Sequence, residues 1–518
     1  MLKRKLLFLV LLLCIARGVF AQNGTLDNTF GNGGIVLPNF GEYLSDLKDI
    51  VVQPDGKIIS AGGIFNQSGY NKFALVRFNT DGSLDHTFGT NGKVINDFGA
   101  YYFDGMLLQP DGKIIIGTRK YEENSSTTTS FLVRYTSEGS VDIAFGTNGV
   151  IFKASVTINA LALQPDGKII VVESSYGGPD IGWNSGLLKY NPDGSPDATF
   201  GNNGFMPLAL SGKMLLQPDG KILISGGYTG YMEPADFTLR RYLNNGTVDT
   251  TFGTDGISII DVDVLDNLRA ATIQNDGKIV FIGSSHYFVN PPYTVVNLRY
   301  ELIRLLPNGI LDTDFGVNGI SKLEISAGGV TVQPDGKIIV AGGTLPIPDG
   351  PNEIALSRFV ANGTLDGVFG NSGIANASLG ESIRGSAVSV KMSPNGEIVV
   401  GGAYCEAYNS CHPQAFVMRF NSGLLSNTES GSNKKRFIAY PNPVNSFVNL
   451  DFNLSQSEEL SVDLYDNNGS RILNLLRNKK FQTGQNSQKL DLPEILSKGI
   501  YFLNISNDTN TSIIKIVK

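Results

Sequence analysis

A six-residue turn sequence recurs seven times along the chain, and this recurrence restricts the possible folds more than any other feature. The sequence QPDGKI begins at Gln53, Gln109, Gln164, Gln217 and Gln333, and the variants QNDGKI and SPNGEI begin at Gln274 and Ser393. The spacing of 53 to 60 residues indicates a repeat architecture. Each unit also contains four short segments that are rich in β-branched and aromatic residues and bounded by turn signals, which predicts four strands per unit.

The recurring hexapeptide has the composition of a hairpin turn. Pro54 presets φ for the second turn residue, Asp55 is accepted at the next position, and Gly56 takes the left-handed conformation that closes the turn. Lys57 is expected to begin the return strand as a solvated charge. Because Glu397 stands at this position in the last copy, we expect the sign of the charge to be unimportant. The hexapeptide is therefore interpreted as a turn and not as a binding motif.

A second motif, Asp-x-x-Phe-Gly, recurs in step with the first. Its aspartates are Asp27, Asp85, Asp142, Asp197, Asp249, Asp312 and Asp366. A basic residue precedes the motif in each cycle, namely Arg77, Arg134, Lys189, Arg241, Arg304, Arg358 and Arg419. We expect each phenylalanine to be a buried plug, and each aspartate to form a structural ion pair with the basic residue that precedes its motif.

Calcium binding is the alternative role for this second motif. The stretch NTDGSLD from Asn79 places oxygen ligands at alternating positions, and calcium takes six to eight oxygens. Asp81 is replaced by Asn245, Asn308 and Asn362 in other cycles, which favours a left-handed turn over a metal site. We therefore expect no cofactor, and calcium is the alternative that the sequence leaves open.

Four strands per unit and seven units predict an all-β fold, a seven-bladed β-propeller over residues 22–423. The last cycle ends at MRFNSG, before it reaches its Asp-x-x-Phe-Gly motif, whereas QNGTLDNTFG from Gln22 supplies that missing piece. We therefore expect the head of the chain to complete the seventh blade. A polar linker over 424–434 and a β-rich segment over 435–518 follow, and the latter predicts a small Ig-like β-sandwich.

The first 21 residues have the pattern of a secretory signal peptide. Three basic residues precede about ten apolar ones and a small-x-small cleavage site, and a lipoprotein site at Cys14 is disfavoured because Leu13 precedes it. The apolar run is too short for a transmembrane segment. Loss of the leader's four basic residues changes the net charge from −7 to −11, which argues against nucleic acid as a partner. Cys405 and Cys411 then predict a local disulfide.

Both parts of the chain resemble known families. The two alternating motifs resemble the bacterial delta-60 repeat over residues 24–423, which implies a propeller of mostly unassigned function. Residues 435–518 are similar to the C-terminal sorting domain of the type IX secretion system of Bacteroidota. The resemblance depends on Tyr440, Pro441, Asn442, Pro443, Gly499 and Tyr501 and on the lysine-rich last strand. It implies recognition by that secretion machinery and a secreted or outer-membrane-surface location; an ordinary terminal Ig-like module is the alternative.

Catalytic patterns are scarce, and the variable segments favour a binding function. The three histidines occur in different cycles, and none has the spacing of a zinc site or a catalytic triad. Loops of unrelated sequence separate the third and fourth predicted strands of the units, which are KIIIG and FLVRY in the second cycle, and this is typical of recognition surfaces. The candidate ligand-contacting aromatics are Tyr176, Trp183, Tyr228, Tyr231, Tyr287 and Tyr293. The leading hypothesis is binding or adhesion to an extracellular protein or glycan; a polysaccharide hydrolase or lyase and a purely structural role are the alternatives.

Overall fold

The structure is a computed structural model of the 518-residue chain. It describes residues 23–38, 44–65, 71–96, 102–121, 128–176, 183–226, 236–263, 265–289, 294–345, 352–380, 383–406, 413–423, 437–440, 444, 446–454, 456–465, 471–493, 496, 499–507 and 511–518. The secondary structure of these described ranges consists of β-strands. No helix in them is long and apolar enough to span a membrane. The chain divides into two compact units, Met1–Leu424 and Leu425–Lys518.

The first unit contains seven four-stranded antiparallel sheets, which are named blades 1 to 7. Blade 1 contains β2 (Leu44–Val52), β3 (Ile58–Phe65), β4 (Asn71–Phe78) and β5 (Lys93–Asn96). Blade 2 contains β6 (Tyr102–Leu108), β7 (Ile114–Tyr121), β8 (Thr128–Tyr135) and β9 (Val150–Ala154). Blade 3 contains β10 (Thr157–Leu163), β11 (Ile169–Tyr176), β12 (Trp183–Tyr190) and β13 (Phe205–Leu208).

The remaining blades repeat this arrangement. Blade 4 contains β14 (Met214–Leu216), β15 (Ile222–Gly226), β16 (Phe237–Tyr242) and β17 (Ile257–Ile260). Blade 5 contains β18 (Leu265–Ile273), β19 (Ile279–Val289), β20 (Thr294–Leu305) and β21 (Ile320–Lys322). Blade 6 contains β22 (Gly329–Val332), β23 (Ile338–Gly343), β24 (Ile354–Phe359) and β25 (Ile374–Ala377). Blade 7 contains β26 (Arg384–Met392), β27 (Ile398–Cys405), β28 (Gln414–Phe420) and β1 (Ile35–Val36).

Blade 7 is assembled from both ends of this unit. The short strand β1 pairs antiparallel with β28, so that Ile35 lies opposite Met418 and Val36 opposite Val417. The first strands of neighbouring blades contact one another all the way round, and β26 of blade 7 contacts β2 of blade 1. The unit is therefore a closed β-propeller, and the predicted all-β propeller fold is confirmed.

The hydrophobic core lies between the blades, where each sheet packs on the next. Between blades 1 and 2, the buried side chains of Phe73 and Phe88 pack with Ile114 and Tyr135. A cluster of the same kind lies at each of the remaining six junctions, including the one between blades 7 and 1. The motif phenylalanine of each blade lies in the cluster shared with the following blade, and burial of each stabilises the fold by roughly 1.5–3 kcal/mol.

The hexapeptide forms the expected tight turn between the first and second strands. In blade 1 the Gly56 amide donates to the Gln53 carbonyl at 2.8 Å, and Gly56 has a φ of 84°. The Asp55 carboxylate accepts the amide hydrogen of Lys57 at 3.1 Å. The structure thus agrees with the turn interpretation of QPDG.

The second unit contains two antiparallel sheets. One has β29 (Phe437–Tyr440), β30 (Phe447–Leu454) and β33 (Gly484–Asp491). The other has β31 (Glu458–Tyr465), β32 (Arg471–Phe481), β34 (Ile500–Ser506) and β35 (Thr511–Val517). Buried side chains from both sheets, among them Val448, Leu490, Leu464 and Leu503, form one hydrophobic cluster. A small β-sandwich is therefore present in this unit.

Candidate functional site

The two ends of the blades differ in what they carry. The turn face carries the hexapeptide turns and the Asp-x-x-Phe-Gly segments, which connect the first to the second strand and the third to the fourth. The loop face carries the connections between the second and third strands and those between blades. Because antiparallel strands alternate in direction, these two sets of connections lie at opposite ends of every blade.

On the turn face, the motif aspartate of each blade is the centre of a buried ionic cluster. In blade 1 the Asp85 carboxylate accepts from Arg77 Nε at 2.7 Å and from Lys57 Nζ at 2.9 Å. Its other oxygen accepts from the amide and hydroxyl of Thr87. The Arg77 guanidinium also lies 4.6 Å from the centre of the Phe88 ring, a favourable cation–π geometry.

The arginine of this cluster also binds the next blade. Arg77 donates through Nη1 to the Ser137 carbonyl of blade 2, and Arg419 donates to the Thr80 carbonyl of blade 1. The same link from one blade to the next is made by Arg134 to Pro192, Lys189 to Asn244, Arg241 to Pro307, Arg304 to Ala361 and Arg358 to Ser422. Seven cationic side chains thus join the seven blades into a ring.

Two expectations about these charges are wrong. In blade 3 the Asp197 carboxylate accepts from Lys168 at 2.7 Å and not from Lys189, which reaches Asn244 because lysine lacks the branched guanidinium. The expected irrelevance of the charge at position 57 is also wrong, because the hexapeptide lysine contacts the motif aspartate in six blades. Glu397 instead accepts from the Ser393 hydroxyl within its own turn.

Position 81 and its equivalents form side-chain turns. Asp81 Oδ1 accepts from the amide and hydroxyl of Ser83 at 2.9 and 2.7 Å, and Asn245 accepts from Thr247 in the same way. A left-handed conformation was expected here, but the left-handed residue is the following glycine, Gly82, with a φ of 83°. Aspartate and asparagine interchange at this position because a side-chain oxygen that accepts the local amide is the only requirement.

The motif aspartates are held in the ionised form. Burial alone would raise the pKa of Asp249, but hydrogen bonds from Thr251 and the charges of Arg241 and Lys221 lower it to about 2. The pKa of Asp85 is lowered in the same manner. These carboxylates are saturated by internal donors, which is the condition of structural groups and leaves them little capacity for a ligand.

The loop-face half of the blades contains buried carboxyl groups of the opposite character. Burial raises the pKa of Asp104 in β6 to about 7, although Arg119 donates to it at 2.7 Å. Burial likewise raises the pKa of Glu301, near the middle of β20, to about 7, and the neighbouring charge of Asp266 adds to the shift. Groups with raised pKa values in a protein cluster preferentially at functional sites. The loop face is therefore the candidate functional surface.

Three of the six candidate aromatics lie in described strands, towards the loop face. Tyr176 and Trp183 are cross-strand partners at the loop-face ends of β11 and β12, and Tyr287 in β19 lies opposite Val296. Tyr228, Tyr231 and Tyr293 lie outside the described residues. A ligand-contacting role for all six remains a prediction.

The remaining candidate residues fall in blade 7 and in the second unit. Cys405 at the end of β27 is disulfide-bonded, and its expected partner Cys411 lies outside the described residues. Gly499 exchanges backbone hydrogen bonds with Lys518, and Tyr501 is buried in the sandwich core. The Tyr440 hydroxyl donates to Asp451 at 2.8 Å. Pro441, Asn442 and Pro443 lie outside the described part of the chain, as does the predicted signal peptide.

One group of loop-face residues was missed by sequence reasoning. Asp236, Asp261 and Asp266 each place a carboxylate oxygen within 4.8 Å of the others, at the junction of blades 4 and 5. These residues belong to no repeated motif and come from two blades, so no sequence signal indicated them. The second role of the hexapeptide lysine could have been inferred, because lysine recurs at that position in six copies.

Two family models match the chain. Residues 438–518 match the family described as a secretion system C-terminal sorting domain. Residues 53–88, 109–145, 164–200, 217–252, 274–315 and 333–369 match a domain of unknown function described as a β-propeller. Each matched segment runs from the start of a hexapeptide turn to a motif phenylalanine. The sorting domain indicates export, followed by attachment to the cell surface or secretion.

Solved structures with similar folds have low sequence identity to the chain. A protein of unknown function from Dyadobacter fermentans is 13% identical, with a TM-score of 0.38 over 75% of this chain and 98% of that one. The β-propeller domain of the Trilobed protease from Pyrococcus furiosus is 10% identical, with a TM-score of 0.38 over 74% and 98%. Drosophila semaphorin 1a extracellular domains are 8% identical, with a TM-score of 0.36 over 76% and 88%. A search of curated proteins finds no match.

Proposed function

We propose that this protein is an exported binding propeller that recognises an extracellular protein or glycan through its loop face. The observation that carries the proposal is the contrast between the two faces. The repeated charges of the turn face bond to one another, as in the Arg77–Asp85–Lys57 cluster. The loop face holds buried carboxyl groups and bears connections of unrelated sequence, and a constant scaffold with variable loops is how recognition surfaces are usually built.

Binding to glycan and cell-surface-protein arrays tests this proposal. The probe is the exported chain without its leader. The control variant is His86→Ala, a change at an exposed residue of the turn face, and it should bind the same ligand as the wild type. Tyr176→Ala and Trp183→Ala, at the loop-face end of blade 3, should weaken binding at least tenfold if that blade contacts the ligand. Binding that depends on the turn face instead would contradict the proposal.

A glycan-cleaving activity is the second candidate, and the raised pKa values of Asp104 and Glu301 favour it. A carboxylic acid with a pKa near 7 can donate a proton to a leaving group at neutral pH. Product release from polysaccharides, lost in Glu301→Gln while binding persists, would support catalysis. Stoichiometric binding without turnover would support the binding function.

We further propose that the second unit is recognised by the type IX secretion machinery of a Bacteroidota cell and that it acts separately from the propeller. A chain truncated after Gly423 should remain in the periplasm as a folded propeller. Residues 424–518 fused to a foreign periplasmic protein should bring that protein to the surface or medium. Fractionation of a competent host measures both, and export of the truncated chain would contradict the assignment.

A further inference from the structure

The three aspartates at the junction of blades 4 and 5 form an acidic cluster without a counter-charge. Asp236 directly precedes β16, Asp261 directly follows β17, and Asp266 lies in β18, so blade 4 supplies two carboxylates and blade 5 supplies one. One oxygen from each lies within 4.8 Å of the other two. None of the three forms a salt bridge with a lysine or arginine of the described chain.

The carboxylate of Asp266 gives an independent indication that a ligand is needed. The residue is 2% exposed, and its Oδ2 accepts from the Val262 amide at 2.9 Å and from the Asp263 amide at 3.4 Å. Its Oδ1 is buried and has no hydrogen-bond partner. The Ser285 hydroxyl of the neighbouring strand β19 forms a hydrogen bond of 3.0 Å with Glu301 Oε2. An unpartnered carboxylate oxygen is costly to bury, and a bound cation would remove that cost.

The ligand set and its dimensions fit calcium. All three donors are carboxylate oxygens, which hard cations prefer, whereas zinc sites use mainly histidine and cysteine. Calcium–oxygen distances of about 2.4 Å place opposite ligands about 4.8 Å apart, so three oxygens within 4.8 Å of one another can share one ion. Magnesium requires shorter, near-octahedral distances and retains more of its water.

We propose that Asp236, Asp261 and Asp266 bind one calcium ion that joins blade 4 to blade 5 on the loop face. This site is separate from the motif aspartates, whose oxygens are occupied by internal donors. An exported protein works outside the cell, where calcium-binding modules have dissociation constants of about 10⁻⁴–10⁻³ M. We expect the affinity of this site to lie in that range. The inference does not depend on the proposed ligand-binding function.

Calcium titration of the chelator-treated, leaderless full chain tests the site. We expect one calcium per chain by calorimetry and a Tm increase of about 3 °C at a calcium concentration 100 times the dissociation constant. Asp261→Asn changes the exposed ligand, so the variant should fold, and it should weaken binding at least tenfold. Without metal its Tm should equal or exceed that of the wild type, because one repelling charge is gone. Asp276→Asn, in an exposed turn of blade 5, is the matched control.

The melting temperature and the calcium affinity together test the site. A Tm order that reverses between chelator and calcium, with the wild type higher only in calcium, supports the site. No calorimetric binding by the wild type at 10 mM calcium would overturn the proposal. Unchanged calcium affinity in Asp261→Asn would overturn it as well, since the ion would then be held elsewhere. An equal response to magnesium would overturn the assignment to calcium.

Discussion

Replacement of Asp85 by alanine measures how much the ionic ring stabilises the propeller. The change removes the acceptor of Arg77 and Lys57, whose side chains are 7% and 30% exposed. Removal of one partner of a buried ion pair costs about 3–5 kcal/mol. Because Arg77 keeps the Ser137 carbonyl and Lys57 can turn to water, we expect the lower limit, about 3 kcal/mol.

The expected shift in melting temperature follows from the size of the propeller. Roughly 400 residues, each with an unfolding entropy of about 2.1 cal/mol/K, give about 0.85 kcal/mol/K, so a loss of about 3 kcal/mol lowers Tm by about 3–4 °C. Calorimetry of the chain and of Asp81→Ala supplies the comparison. Asp81 is exposed and accepts only from Ser83, so its loss should cost under about 1 kcal/mol.

A double variant separates the pair from its orphaned charge. Adding Arg77→Leu to Asp85→Ala removes the uncompensated guanidinium, so the double variant should lose less stability than the sum of the two single changes. Equal Tm values for Asp85→Ala and Asp81→Ala, or strictly additive losses in the double variant, would refute the structural role assigned to the cluster.

Three further predictions concern charge, closure and pH. Lys57→Glu should cost roughly 1–2 kcal/mol in urea unfolding because it faces Asp85, whereas Glu397→Lys should be neutral or stabilising; equal effects would restore the view that the sign is unimportant. Deletion of residues 22–34, which removes Asp27 and Phe30 from blade 7, should lower the Tm of the entire ring, and an unchanged melt would argue against completion of that blade by the head of the chain. Asp104 has a folded pKa of about 7, above its usual 3.8, so its stabilising contribution is complete below pH 4 and disappears as pH rises through 7. Asp104→Asn should therefore gain stability relative to the wild type between pH 4 and 7, and parallel urea-unfolding profiles would contradict this.

The sequence predicted those parts of the fold that recur. Turn chemistry at Pro54 and Gly56 is local, so seven copies of it locate seven hairpins without any knowledge of their packing. The pairing of β1 with β28 could also be inferred, because the Asp27 motif was missing from one end of the repeat and present at the other. Because the motif repeats, the pairing of two segments far apart in the sequence could be inferred from a short local pattern.

The candidate site could not be predicted in the same way, because its residues occur once. Asp236, Asp261 and Asp266 are 30 residues apart at most, yet their contact depends on how blade 5 packs on blade 4. The error over Lys57 has a related origin, since Lys57 and Asp85 lie 28 residues apart in two different turns of the blade. Sequence pattern alone did not reveal the distance between two turns on the same face.

The division between the two faces follows from what each must do. On the turn face, every blade must join the next through a cation such as Arg77, an aspartate and a buried phenylalanine, so a change in one copy weakens two blades together. On the loop face, the described bonds between blades differ from one junction to the next; at the junction of blades 1 and 7, for example, the Ser45 amide donates to the Pro413 carbonyl at 3.0 Å. The repeated ionic clusters and the proposed recognition surface therefore lie at opposite ends of the same strands, so the loop sequences can differ while the repeated clusters stay the same.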